Sequence, residues 1–253
     1  MDLLQTLWRN LLVSLDIVAA LAALFLIVYL GIRHAQRRAT SSSELKGLDT
    51  WLIVGALLGG RAGAVIPEIS IYLGSPLDLI RVNFGLSLYG AIGGGALALA
   101  FYGMRRWQLT VSLADVFALY LALGIGLFHV GCLMYGFCGG KPAESPLGIP
   151  LPGHVGLRYP SELYEGILML GLFFALLRLS RRGLPLGTVT GLFLIVYPVV
   201  QTIINLTRFS SGPWPWANEA VSLSFVAAGL IISLLIWVRR RHSRAAGGSP
   251  KVS

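Results

Sequence analysis

DVFALYLALGIGLFHVGCLMYGFCGG, residues Asp115 to Gly140, decides how the rest of the chain is read. Between Val116 and Phe128 it holds only apolar residues, glycine and one tyrosine, the composition of a membrane helix. At the far end of that run stands His129. An ionisable side chain at the centre of a bilayer helix costs ~2.5 kcal/mol or more, so it faces a bundle interior or a wet cavity. The stretch therefore predicts a membrane helix that carries chemistry, with His129 as its first candidate.

Composition points the same way. Of 253 residues, 55% are hydrophobic and only 12% charged, and the mean hydropathy is +0.75, outside the range of ordinary soluble domains. The net charge of +9 would suggest nucleic acid in a soluble protein. Here the basic residues follow apolar runs, which makes them a topology signal, and no nucleic-acid partner is expected. Two cysteines exclude a disulfide framework. Cys132 and Cys138 stand about 120° apart on an ideal helix, and neither a CxxC nor an HxxxH spacing is present. No metal or cofactor is expected.

Outward from the central stretch, apolar runs predict spans at Leu11–Ile32, Trp51–Ile69, Gly85–Met104, Ser112–Tyr135, Ser161–Leu179, Leu186–Leu206 and Asn218–Val238. The first is ~33 Å long as a helix, enough to cross a bilayer. It contains Ala20-Leu21-Ala22, which resembles a cleavage site, but it runs on to Arg33 and reads as an uncleaved anchor. The expected architecture is all-α, a seven-helix membrane bundle forming one polytopic domain over residues 1–253, with a short basic tail at 239–253. Arg33, Arg37, Arg38, Lys46, Arg105, Arg106, Arg178, Arg181, Arg182 and the arginines of the tail fall on one side. The positive-inside rule then places the N-terminus outside and the C-terminus in the cytoplasm.

On that topology Asp16, Arg61, Glu68, Tyr89, His129, Glu165, Gln201, Asn205, Arg208 and Glu219 lie in the middle or outer half of the bilayer. Polar groups at one depth imply a wet cavity opening toward the outer leaflet. Gly55, Gly59 and Gly63 form a GxxxGxxxG ladder for close helix approach. Arg61, within it, suits a lipid phosphate, though pairing with Glu68 on the same face is the plainer alternative. Tyr89, among glycines, is read either as an interfacial aromatic or as a hydrogen-bonding group in the cavity. Asp115 has capping-box spacing from Ser112 and is expected to cap its own helix. It lies ~21 Å from His129, too far for a direct pair. Arg158-Tyr-Pro-Ser-Glu-Leu-Tyr-Glu165 makes a conventional helix start, in which Glu162 and Glu165 serve the dipole and Tyr164 enters the bilayer edge. Tyr197, Gln201, Asn205 and Arg208 form a polar stripe on one helix face that packing alone does not explain.

Together these residues resemble the prolipoprotein diacylglyceryl transferases of bacterial inner membranes. Gly59-Gly-Arg61 resembles the family's GxR, Gly85-Leu-Ser-Leu-Tyr-Gly90 its G-M-S-F-H-G, and Arg158 to Glu165 its R-H-P-S-Q-L-Y-E. Asp115, His129, Gly131, Gly136 and Gly140 fall in register with the signature segment. Tyr197 and Arg208 match the ends of its Y-x3-R-x3-E-x2-R stripe. His129 replaces the signature arginine, Tyr135 its asparagine, Tyr89 the histidine, and Gln201 and Asn205 the arginine and glutamate of the stripe. The resemblance implies transfer of a diacylglyceryl group from phosphatidylglycerol to the lipobox cysteine thiol of a preprolipoprotein. His129 and Tyr89 would be catalytic, and Arg61, His129, Arg208 and Arg158 would hold the phosphate. Asp115, Gly131, Gly136, Gly140, Tyr164, Glu165, Tyr197 and Gln201 would support them. A lipid-binding or lipid-moving protein of the same fold is the competing class. An ion carrier is a weaker one, and a retinal protein fails because the last span lacks a lysine.

Overall fold

The helix that carries His129 begins earlier than its sequence suggests, and this changes what Asp115 does. In the computed structural model, which describes residues 3–37, 42–69, 86–134, 140–144, 146–151, 155–208 and 215–246, the turn Gly103–Arg106 closes with the Arg106 N–H on the Gly103 carbonyl at 2.7 Å. The helix then runs from Trp107 to Met134. Ser112 is consequently interior, and Asp115 caps no turn of its own helix.

The described helices are α1 (Leu3–Arg37), α2 (Leu48–Val65), α3 (Leu88–Tyr102), α4 (Trp107–Met134), α5 (Ser161–Ser180), α6 (Thr188–Asn205) and α7 (Pro215–Ala246). Four stretches among the described residues are long and apolar enough to cross a membrane: Leu48–Val65, Trp107–His129, Ser161–Ser180 and Thr188–Asn205. Leu88–Tyr102 and Ser222–Ile236 are shorter apolar helices. The second predicted span ends early because the chain tightens into a 3-10 turn at Ile66–Glu68, which contains Pro67. The last helix runs past Val238 into the basic tail. An all-helical chain was expected, yet the loop before α5 holds a two-stranded antiparallel hairpin, β1 (Ile149–Pro150) with β2 (Leu157–Arg158). The side chains of Asp16, Glu68 and Glu219 and all of Gly85 lie outside the described residues.

Helix α4 is central. One face puts Leu113 and Phe117 into a cluster with Ile27 and Val28 of α1 and Leu48 and Leu52 of α2. The other puts Ala118, Leu119, Ala122 and Ile125 against Met169 and Leu176 of α5 and Phe193 and Tyr197 of α6. Glycines set the spacing, because lipid tails are as apolar as leucine and association relies on close packing. The ladder of α2 meets a second one on α3: a Cβ on Gly59 would lie 2.3 Å from the Gly90 carbonyl oxygen, and one on Gly94 2.2 Å from that of Gly55. Large apolar side chains such as Leu58, Leu97, Phe101 and Phe174 point outward, where a soluble protein would keep polar ones.

Asp115 does cap a helix, but a different one. Its Oδ2 accepts from the Gly187 N–H at 2.7 Å, and its Oδ1 accepts from the N–H and Oγ1 of Thr190 at 2.8 Å each. Gly187 holds φ +89° just before α6, a conformation that favours glycine. The carboxylate thus satisfies the open donors of the α6 N-terminus from a neighbouring helix. Asp115→Ala is expected to lower stability by about 1–3 kcal/mol by stranding those donors, with Asp115→Asn keeping part of it. Thermal unfolding in detergent reads this, and an unchanged midpoint for the alanine variant would contradict it.

Candidate functional site

The site is assembled where α4 ends, α5 begins and the chain leaves α6. His129 lies in the last turns of α4 and is buried. Glu162 and Glu165, three apart in the first turns of α5, share one face and turn toward it. The Glu162 Oε2 lies 2.6 Å from His129 Nδ1, and the Glu165 Oε1 2.9 Å from Nε2. Arg208, just past α6, closes the group: its Nη2 lies 2.8 Å from Glu162 and donates to Glu165 Oε2 at 2.7 Å.

A strap holds these three pieces in register. The Gly140 N–H donates to the Tyr159 carbonyl at 2.8 Å, the Lys141 N–H to Thr207 at 2.8 Å, and the Tyr159 N–H to Lys141 at 3.1 Å. The hydroxyls of Ser161 and Thr207 meet at 2.9 Å. Arg158 Nη1 donates to the Gly140 carbonyl and Lys141 Nζ to that of Leu206. No side chain fits at Gly140, where a Cβ would lie 2.3 Å from Ser161 Oγ and 2.4 Å from the Thr207 oxygen. Arg208 is thereby fixed against the acids by the backbone pairing of Thr207, the residue before it.

Charge in the group balances. A neutral imidazole has one donor and one acceptor, whereas a ring with a carboxylate oxygen at each nitrogen is suited to donate at both, as the imidazolium does. His129 and Arg208 then supply two positive charges against two carboxylates. Glu165 is 0% exposed and also accepts from Gln201 Nε2. Burial alone would lower the pKa of Arg208, but Glu162 and then Glu165 outweigh it and hold the guanidinium above its ordinary value. His129, Glu162 and Glu165 could offer three ligand atoms within 4.8 Å of one another to a metal. The position between the two carboxylates, however, already carries the Arg208 cation, which a divalent ion would have to displace.

Aromatic residues extend the network inward. Gln201 Nε2 donates to the Tyr197 hydroxyl at 3.2 Å, and the Tyr197 ring stacks on Phe193 and lies 5.8 Å from that of Tyr89. The Tyr89 hydroxyl meets Ser222 Oγ of α7 at 3.0 Å. Tyr89 is therefore a hydrogen-bonding group inside the bundle. Below the site lies an apolar cavity of about 300 Å³, bounded by α1, α2, α3, α4 and α6. It reaches Phe128, whose ring is 5.5 Å from His129.

The structure gathers His129, Glu165, Gln201, Tyr197 and Arg208. It puts Asp115 elsewhere, capping α6, and leaves Arg61 half-buried on α2 within the glycine ladder. Tyr164 donates its hydroxyl to the Leu147 carbonyl, so it serves the hairpin. Gly131 lies in the last turn of α4; Tyr135, Gly136 and Cys138, with the side chain of Cys132, lie outside the described residues. Sequence reasoning missed Glu162 as a partner of His129. Two acids three apart, entering a bilayer near a histidine and an arginine, were the available signal.

A family profile described as prolipoprotein diacylglyceryl transferase matches residues 15–238. Among curated proteins, the chain is 34% identical to a phosphatidylglycerol--prolipoprotein diacylglyceryl transferase of Nitrosomonas europaea over 218 residues, covering 79% of this chain and 75% of that protein. It is 27% identical to one of Pseudomonas syringae over 220 residues, covering 81% and 80%. It is 29% identical to one of Clostridium tetani over 182 residues, covering 70% and 73%.

Proposed function

The chain belongs to the prolipoprotein diacylglyceryl transferase family, and from that premise we propose that it transfers a diacylglyceryl group from phosphatidylglycerol to the lipobox cysteine thiol of a preprolipoprotein. The product is a thioether, and glycerol phosphate leaves. The single observation that carries this reading is the buried group of His129, Glu162, Glu165 and Arg208 beside an apolar cavity. A lipid needs both features at once, a place for its acyl chains and a cationic place for its phosphate. A cavity of about 300 Å³ is at the lower end of ligand-site volumes, ~300–1,000 Å³.

The residues divide the chemistry as follows. Arg208 and His129 stabilise charge on the departing phosphate, because fixed cations in a low-dielectric site cost no reorganisation during reaction. Arg61 and Arg158 add positive charge on the approach. The attacking thiol must lose its proton. Glu162, the more exposed of the two acids, takes it, with His129 held between the two carboxylates. Phe128 and Phe193 wall the cavity beneath, Tyr89 and Tyr197 pack behind it, and Gln201 and Glu165 hold the cations in place. The bundle sits in a bacterial inner membrane with seven spans, N-terminus outside, so that lipid enters laterally and the preprotein from the outer side.

Labelled phosphatidylglycerol and a lipobox peptide, incubated with the protein in nanodiscs, test the reading; label on the cysteine thiol is expected. No label beside an active relative, with phosphatidylglycerol copurifying, supports a lipid-binding protein instead. Arg208→Gln is expected to slow transfer about 10²–10³-fold, the usual cost of removing one charge-stabilising donor. An initial rate within twofold of the parent would remove Arg208 from the mechanism.

A further inference from the structure

The loop that carries the hairpin before α5 folds back on the first turn of that helix. The hairpin's β2 strand pairs with β1 through Arg158 and Ile149 and bridges to Pro142. The loop leading into β1 folds back, and the Tyr164 hydroxyl donates to the Leu147 carbonyl. Tyr164 is one turn inside α5, a helix long and apolar enough to cross a bilayer. On that helix Ile167, Leu168 and Gly171 follow Tyr164 at the three-, four- and seven-residue steps of one face, and all three are exposed, Ile167 at 57%. This is the face that meets hydrocarbon. Leu147 is therefore fixed beside the outermost turn of a lipid-facing stripe.

The composition of the hairpin fits that place. Residues 145–157 contain no Asp, Glu, Lys or Arg, although a loop projecting into water would ordinarily carry some. Leu147 is 65% and Val155 99% exposed, and Gly156 turns the chain at φ +81°. Apolar side chains exposed in continuity with a lipid-facing helix are shielded from water most simply by the same lipid. We infer that the hairpin lies on the outer leaflet as an interfacial anchor, with Leu147 and Val155 seated at the boundary of headgroups and acyl chains. This inference is independent of the transfer reaction and rests on α5 spanning the bilayer with its N-terminal end on the outer side.

The test uses the unmodified protein in nanodiscs containing a phospholipid with a photoactivatable diazirine near the top of its acyl chain. After irradiation, mass spectrometry maps the lipid adducts. Adducts on the peptide 146–157, together with adducts at Ile167 and Leu168, are the expected result. Adducts at Ile167 and Leu168 with none on 146–157 would overturn the anchor, as would crosslinks joining 146–157 to a second copy of the chain. Val155→Asp, at a position with no packing to lose, should reduce hairpin adducts several-fold while leaving those on α5 unchanged. Equal labelling of the hairpin in that variant contradicts the proposal.

Discussion

Glu165→Ala is expected to lower stability by about 3–5 kcal/mol, the usual cost of removing one partner from a buried ion pair, and to abolish activity with it. Glu165 is fully buried and touches every other member of the group except Glu162. It lies 2.9 Å from His129 and 2.7 Å from Arg208, and it accepts from Gln201. Without it two positive charges face a single carboxylate in a low-dielectric site, and Gln201 loses an acceptor. Glu162 cannot compensate, because its single charge then faces both His129 and Arg208. Glu165→Gln keeps the shape but loses the charge, so it should fall between the parent and the alanine variant. Thermal unfolding in detergent orders the three proteins. An alanine variant as stable as the parent would show that the group does not close as described.

The second large effect is expected at the interface of α2 with α3. Gly59→Val should destabilise by at least the ~1–3 kcal/mol typical of overpacking. The added Cβ would lie 2.3 Å from the Gly90 oxygen and 2.6 Å from the Gly94 Cα. Both are backbone atoms, so no rotamer change relieves the clash and α2 must part from α3. Gly93, nearby on α3, has nothing within 4 Å of its Cβ position, and Gly93→Ala is the matched control. The pair predicts a fall in the unfolding midpoint for the first and none for the second. Equal midpoints would mean that the glycine ladder is not an interface.

Much of the helical frame was legible because each span announces itself by an apolar run bounded by arginines or glycines, and Gly55, Gly59 and Gly63 announced their close approach by spacing alone. Helix ends were less so. The turn at Gly103–Arg106 begins α4 well before Ser112, and the apolar pattern does not register it. Asp115 shows the limit most clearly. Its sequence spacing pointed to a local cap, but its acceptors were taken by Gly187 and Thr190, 72 and 75 residues away, a pairing no local pattern encodes. The site was half legible. His129 and Arg208 stood out as costly charges in an apolar setting. That Glu162 and Glu165 neutralise them depended on the strap through Gly140, Tyr159 and Thr207, which is a matter of tertiary hydrogen bonding. The hairpin was hidden by its length, since two residues per strand leave no alternation to read.

The central claim is that His129, at the position where the resemblance expects an arginine, acts as a fixed cation between two carboxylates. It is tested most directly by the initial rate of diacylglyceryl transfer to a lipobox peptide, measured for the parent, His129→Gln and His129→Arg in the same nanodiscs. Transfer by the parent, its loss in the glutamine variant and its retention in the arginine variant are the predicted results. A glutamine variant as fast as the parent, or a parent that is inactive until His129→Arg restores transfer, would contradict it.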